Sequence, residues 1–172
     1  QAFFAGFLPT PVAPGLHPRL FAAAFEGSET TSPETFVFDS ATLVEGLHAV
    51  GYHTVCIGGV GFFNGRGSLA RVLPSLFAES HWRPDMGVTS HVSTERQFDL
   101  ACQRLREIPA DRRLFLFINI SAIHQPNCIF DADVESDSPR TQAAALAYVD
   151  RCLPPLVDSL RARGDTFCIL CS

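Results

Sequence analysis

Six histidines, at positions 17, 48, 53, 81, 91 and 124, are the side chains best suited to acid–base or metal-ligand chemistry near neutral pH. Their surroundings separate them. His124 stands in Ser121-Ala122-Ile123-His124-Gln125-Pro126-Asn127, a polar turn directly after the apolar run Leu114-Phe115-Leu116-Phe117-Ile118-Asn119-Ile120. Loops at strand ends carry function disproportionately, and a histidine there can ligate a metal or donate a hydrogen bond to an anionic oxygen. His124 is therefore the candidate catalytic and substrate-contacting residue, with a turn histidine bonded to backbone as the plain alternative. Asn119 and Asn127 could orient it; Asn127 is a candidate substrate contact too, although turn chemistry explains an asparagine there equally well. His17 precedes a proline, His48 lies on an expected helix, His53 opens an expected strand, and His81 and His91 fall in expected loops. These five read as surface or structural residues.

Gly58-Gly59-Val60-Gly61 follows a second apolar run. Ligands of open parallel sheets bind beyond the carboxyl ends of the strands, so this turn and the His124 turn are where a ligand is expected. No glycine-rich nucleotide loop matches. The acidic stretch 131–137 lacks the D-x-D-x-D-G spacing of a calcium site and reads as a solvated loop. Ser28-Glu29-Thr30-Thr31 reads as a cap or turn rather than a nucleophile. The six cysteines (56, 102, 128, 152, 168 and 171) show no disulfide framework. Cys168-x-x-Cys171 sits in an apolar run where strand geometry turns the two thiols to opposite faces, so buried structural thiols and a reducing, cytoplasmic setting are expected. No set of metal ligands is assigned within the chain.

Positioning these turns requires strands alternating with helices. Residues up to about 25, with Pro9, Pro11, Pro14 and Pro18, read as a short helix and a rigid connection; 35–38 is a short strand candidate. Asp39 or Ser40 is expected to cap a helix over 41–50, with Leu43, Leu47 and Val50 on one face and a stop at Gly51. The β-branched run 52–57 is a buried strand. Patterning weakens over 60–90, where loops and a short helix near 69–77 are expected. Ser93 or Thr94 starts a helix to about 107, and Thr94-x-x-Gln97 resembles a capping box. The run 114–120 is apolar on both faces, as a central parallel strand should be. Ser138-Pro139 opens a long helix that bends at Pro154-Pro155 and stops at Gly164, and a last buried strand begins at Thr166. The fold expected is α/β, a single domain over 1–172 with a mainly parallel sheet flanked by helices on both faces.

Composition agrees with a packed core: of 172 residues, 47% are hydrophobic and 18% charged, which excludes a disordered chain. The net charge of −5, without a basic run, offers no footprint for nucleic acid. No stretch approaches the roughly 18 apolar residues of a membrane helix. The missing initiator Met and the apolar close at Cys168-Ile169-Leu170-Cys171-Ser172 predict a chain incomplete at both ends.

Taken in order, these motifs resemble those of the alkaline phosphatase/sulfatase superfamily, most of all a poorly characterised bacterial branch of sulfatase-like metal-dependent hydrolases. The stretch from Leu47 through Gly51-Tyr52-His53-Thr54 to Gly58 is similar to the sulfatase segment L-x-x-x-G-Y-x-T-x-x-x-G. Residues 114–126 resemble the family's strand ending in H-x-P, and 145–172 the helix and strand before its metal-binding S-D-H-G. Ala2-Phe3-Phe4-Ala5-Gly6-Phe7-Leu8-Pro9 resembles the A-L-L-T-G-x-x-P helix after the nucleophile. The resemblance implies an alkaline phosphatase-like sheet and a small anionic phosphate, phosphonate or sulfate ester as substrate. It implies a Ser, Thr or modified Cys nucleophile just before Gln1, an Asp-His metal pair just after Ser172, and one or two divalent ions (Zn, Mn, Mg or Ca). His124 carries over as a contact to the phosphoryl or sulfuryl oxygens or to the metal. The chain alone would be the inactive central part of a larger hydrolase domain; a non-catalytic binding or scaffold module of the same fold is the alternative. Two positions depart from the pattern. Gly59-Val60-Gly61 stands where sulfatases read K-W-H, and Ile120 where phosphodiesterase-type relatives carry an Asp.

Overall fold

The computed structural model describes residues 41–171, together with Phe4, Ala13, Gly15 and the pairs 22–23 and 35–36. The two pairs form a minimal parallel ladder, β1 (Ala22–Ala23) beside β2 (Thr35–Phe36). Phe4 is helical and buried; the rest of the expected N-terminal helix and connection, His17, Ser28 to Thr31, and residues 37–40 lie outside the described residues.

The main sheet has three parallel strands, β3 (His53–Ile57), β4 (Glu79–His81) and β5 (Leu114–Ile118), in the order β4-β3-β5. The expected central strand over 114–120 is realised as 114–118 and is an edge among the described residues, with β3 at the centre. Thr54 to Ile57 are fully buried, whereas all five β5 residues are only half-buried. Apolarity on both faces reports layers above and below a strand, and says nothing about neighbours beside it. The loops expected around residue 80 hold a strand instead, because Glu79-Ser80-His81 carries no hydrophobic signal. Pairing with β3 defines it, and the Ala78 N–H donating to Thr54 Oγ1 at 2.9 Å pins its entry.

One face of the sheet is covered by α3 (Ser93–Glu107), α4 (Pro139–Cys152) and α5 (Pro154–Arg163). There Val55 and Ile57 pack with Met86, Phe98, Ala101 and Leu105. The other face is covered by α1 (Leu43–Ala49) and by segment 60–77, which contains α2 (Ser68–Val72). Cys56 packs there with Val44 and a group of phenylalanines, the Phe117 ring lying 5.0 Å from Phe4, 5.6 Å from Phe63 and 5.9 Å from Phe77. No helix among the described residues is long and apolar enough to cross a membrane.

Helix ends follow local chemistry. A reciprocal capping box of Thr42 with Glu45 starts α1, later than the expected Asp39 or Ser40. That start turns Val44 inward and leaves Leu43 and Val50 exposed, so the expected face of Leu43, Leu47 and Val50 is not the packed one. Ser138 caps α4 as the sequence suggests, and Thr141 completes a reciprocal box with it. The expected bend is a break, since Pro154 and Pro155 have no N–H to continue α4 and instead open α5. Gly164, at φ +98°, ends it. The box expected at Thr94 and Gln97 is absent. Val92 is the N-cap with no side-chain bond, and the Glu95 N–H donates to the Tyr148 hydroxyl at 3.2 Å.

The expected last strand is the largest correction. Residues 166–171 have no ladder partner among the described residues, and Phe167 and Leu170 are 89% and 82% exposed. Cys168 and Cys171, expected to be buried thiols, are exposed with them. An apolar run supplies the side chains of a strand but not the neighbouring edge it must bond to.

Candidate functional site

The carboxyl ends of β3 and β5 are knitted by one buried side chain. Gln97, in the second turn of α3, donates from Nε2 to the carbonyls of Gly58 (3.0 Å) and Asn119 (2.7 Å), and its Oε1 accepts from the Ser121 N–H at 3.3 Å. The Ser121 hydroxyl donates to the Met86 carbonyl at 2.7 Å. Asn119 Oδ1 accepts from the Val60 N–H at 2.9 Å, which ties the turn after β3 to the end of β5. Such close approach explains Gly58-Gly59. A Cβ on Gly59 would lie 2.3 Å from the Asn119 carbonyl oxygen, and one on Gly58 2.4 Å from Phe63 Cβ. These glycines serve the crossing of two backbones.

His124 lies in the turn this network supports. Its N–H donates to the Ser121 carbonyl at 2.9 Å, its ring is exposed, and Nδ1 sits 2.7 Å from the Gln125 carbonyl oxygen. A carbonyl can only accept, so Nδ1 carries the hydrogen of this bond. In the neutral ring Nε2 is then a free lone pair, fit for a proton or a metal; in the protonated ring Nε2–H is a free donor, fit for an anionic oxygen. Asn127, 2% exposed, donates from Nδ2 to the carbonyls of Ala122 (3.0 Å) and His124 (3.1 Å). It holds the turn through its backbone, while Asn119 bonds to the β3 turn rather than to the imidazole. Asp137 Oδ1 accepts from the N–H groups of Asn127 and Cys128 at 2.5 and 2.8 Å, and Arg140 pairs with Asp131 and Asp133. The acidic stretch thereby anchors the turn.

Arg66 was not singled out by sequence. Its guanidinium lies 4.9 Å over the Trp82 ring, and Trp82 Nε1–H donates to the Gly59 carbonyl at 3.1 Å. An exposed cation is thus held beside the turn after β3. Nothing in the spacing of positions 59, 66 and 82 announces this contact. Nor does it announce the Ser93 and Thr94 hydroxyls in the first turn of α3, which are fully buried without a partner.

The other chemistry-bearing groups are engaged elsewhere. Glu79 accepts from His53 Nε2 (2.5 Å), His81 Nε2 (3.1 Å) and Arg104 Nη2 (2.7 Å). Burial by itself would raise its carboxyl, but the bonds from His53, Arg104 and His81 and the Arg104 charge outweigh it and hold the group near 2. Glu79 is thus a permanent carboxylate joining β3, β4 and α3. His48 is exposed in the last turn of α1, and the His91 ring stands edge-on to Phe130 at 6.5 Å. Burial pushes the Cys56 thiol up to about 12, which makes it inert at neutral pH. A groove of about 410 Å³ between α3 and α5 is lined by Arg83, Arg96 and Arg106, but Arg83 pairs with Asp85 and Arg96 with Asp99, and no strand end reaches it. Among the described residues no three His, Cys, Asp or Glu side chains converge to hold a metal ion.

Compared with known proteins, the chain matches no protein-family model, no curated protein and no solved structure.

Proposed function

We propose that this chain forms the central part of a metal-dependent hydrolase of phosphate- or sulfate-type esters, in which His124 contacts the oxygens of the anionic group. The observation that carries the reading is the exposed imidazole at the carboxyl end of β5, tied through Nδ1 to the Gln125 carbonyl so that Nε2 is free. The sulfatase-like motif order around it supports the ester class. Arg66, braced on Trp82 beside the turn after β3, supplies a cation that Gly59-Val60-Gly61 lacks relative to K-W-H.

In such an enzyme a divalent metal held by other residues would polarise the ester bond. Protonated His124 donates from Nε2 to a non-bridging oxygen, and the Gln125 carbonyl keeps the ring oriented as charge builds. The Gln97, Asn119 and Ser121 bonds fix the turn beforehand, which is what makes such a donor effective in the transition state.

Turnover of an aryl phosphate and an aryl sulfate by the metal-loaded natural protein tests this. His124→Ala should lower kcat/KM tenfold or more, a loss of about 1.4 kcal/mol or more in transition-state stabilisation, with the melting temperature unchanged. Unchanged turnover removes His124 from the site. Phosphate binding by the wild type without turnover of either ester favours the non-catalytic module.

A further inference from the structure

The groove of about 410 Å³ between α3 and α5 gathers cations that the proposed chemistry does not use. Arg96, Leu100, Gln103 and Arg106 line it from α3, at a spacing that brings all four onto one helix face. Pro155 and Ser159, one turn apart on α5, form the opposite wall. Arg83 joins from the loop beyond β4. Positive charge is thus concentrated on a chain whose net charge is −5.

The cations are divided between two ends. The His81 carbonyl accepts from the Gly58 N–H at 2.9 Å, and Gln97 bonds to the Gly58 carbonyl, so Arg83, two residues past His81, stands at the Arg96 end. Arg106 lies ten residues further along α3, about 15 Å at the rise of a helix. Helical side chains lean toward the helix N-terminus, so the Arg96 and Arg106 guanidinia shift the same way and keep that separation. The ion pairs at the first end are surface pairs. Arg96 Nη1 lies 3.4 Å from Asp99 and 3.7 Å from Glu95, Arg83 Nε lies 3.1 Å from Asp85, and every one of these side chains is at least 43% exposed. Such pairs are weak, and a forked bond to a phosphate-type group displaces them. Arg106 makes no ion pair among the described residues.

We infer that this groove binds a small organic molecule carrying a phosphate-type group at each end, one held by Arg83 and Arg96 and the other by Arg106, with its body along Leu100 and Pro155. One compact anion cannot span the two ends, which is why two groups are needed. Asp99, released when Arg96 turns to the ligand, accepts from a hydroxyl of the body and so favours a polyol over an alkyl chain. The groove volume falls within the range of small-molecule sites. This site is separate from the His124 turn and does not depend on the proposed function.

Isothermal titration of the chain with hexitol 1,6-bisphosphate and with hexitol 6-phosphate tests the inference, with the arginine Nε–H signals followed by NMR. The bisphosphate should bind tenfold or more tighter than the monophosphate and shift the signals of Arg83, Arg96 and Arg106 together. Arg106→Ala should remove that preference, lowering bisphosphate affinity tenfold or more while monophosphate affinity stays within twofold. Arg96→Ala should weaken both ligands, and both variants should keep the wild-type melting temperature. His124→Ala should bind the bisphosphate as the wild type does, which keeps this test apart from that of the proposed function. Equal affinity of the wild type for the two ligands overturns the inference, as do unchanged bisphosphate binding by Arg106→Ala and silent arginine signals at millimolar ligand. Loss of bisphosphate binding in His124→Ala overturns it as well, and assigns the ligand to the His124 turn.

Discussion

At the scale of single residues, two of the described histidines hold structure, and His124 at the end of β5 does not. His53 and His81 spend their Nε2 hydrogens on Glu79, whereas His124 keeps Nε2 open by bonding through Nδ1 to a carbonyl. Glu79 carries the clearest pH dependence. Its carboxyl titrates near 2 in the fold against 4.5 as a free group, so the ionised form stabilises the fold fully above about pH 4.5. That contribution is lost as pH falls through about 2. Glu79→Gln should cost roughly 1–3 kcal/mol at pH 7 in urea unfolding, and should flatten the stability loss between pH 4.5 and 2 that the wild type shows. Equal stability of the two proteins at pH 7 would remove the network from the account. Gly59 makes the complementary case for sterics. The Cβ of Gly59→Ala would meet backbone at 2.3 and 2.9 Å, which cannot yield as a side chain can. A loss of about 1–3 kcal/mol is expected, read as a lowered melting temperature.

At the scale of elements, the ends of β3 and β5 are positioned by Gln97, and this helix-to-strand tie was not readable in advance. Thr94-x-x-Gln97 looks like a capping box because the box is local; the bonds Gln97 makes reach 22 to 39 residues away, where sequence spacing holds no signal. Gln97→Leu leaves the Gly58 and Asn119 carbonyls buried without their donor. It should cost roughly 1–3 kcal/mol and broaden the NMR signals of the turn at 121–127. Well-resolved, unshifted signals there would show that the turn stands without it. Where structure is local, the sequence reads well. The Ser138 cap, the Gly164 stop and the bounds of β3 lie within a residue or so of expectation. Ser138→Ala should cost about 1 kcal/mol in thermal unfolding, as lost caps do. Strand neighbours do not read the same way. Side-chain pattern reports layers, so β5 looked central, β4 was invisible, and 166–171 looked paired.

At the scale of the molecule, a three-stranded parallel sheet carries one layer of three helices and one of short helix, turns and phenylalanines. Its strands end together, and the two turns judged capable of chemistry from sequence, Gly58 to Gly61 and Ser121 to Asn127, do leave the sheet at the same end. That much of the candidate site was legible, because the rule for parallel sheets needs only strand order along the chain. Arg66 was not, since only the tertiary contact with Trp82 holds it beside the turn after β3. On the proposed function, this end of the sheet binds an oxyanion through His124. An NMR titration with inorganic phosphate and with sulfate tests it most directly. Saturable shifts of the His124 ring and Arg66 side-chain signals are expected, weakened tenfold or more by His124→Ala. A His124 ring whose signals stay still while phosphate binds at the arginines between α3 and α5 would contradict it.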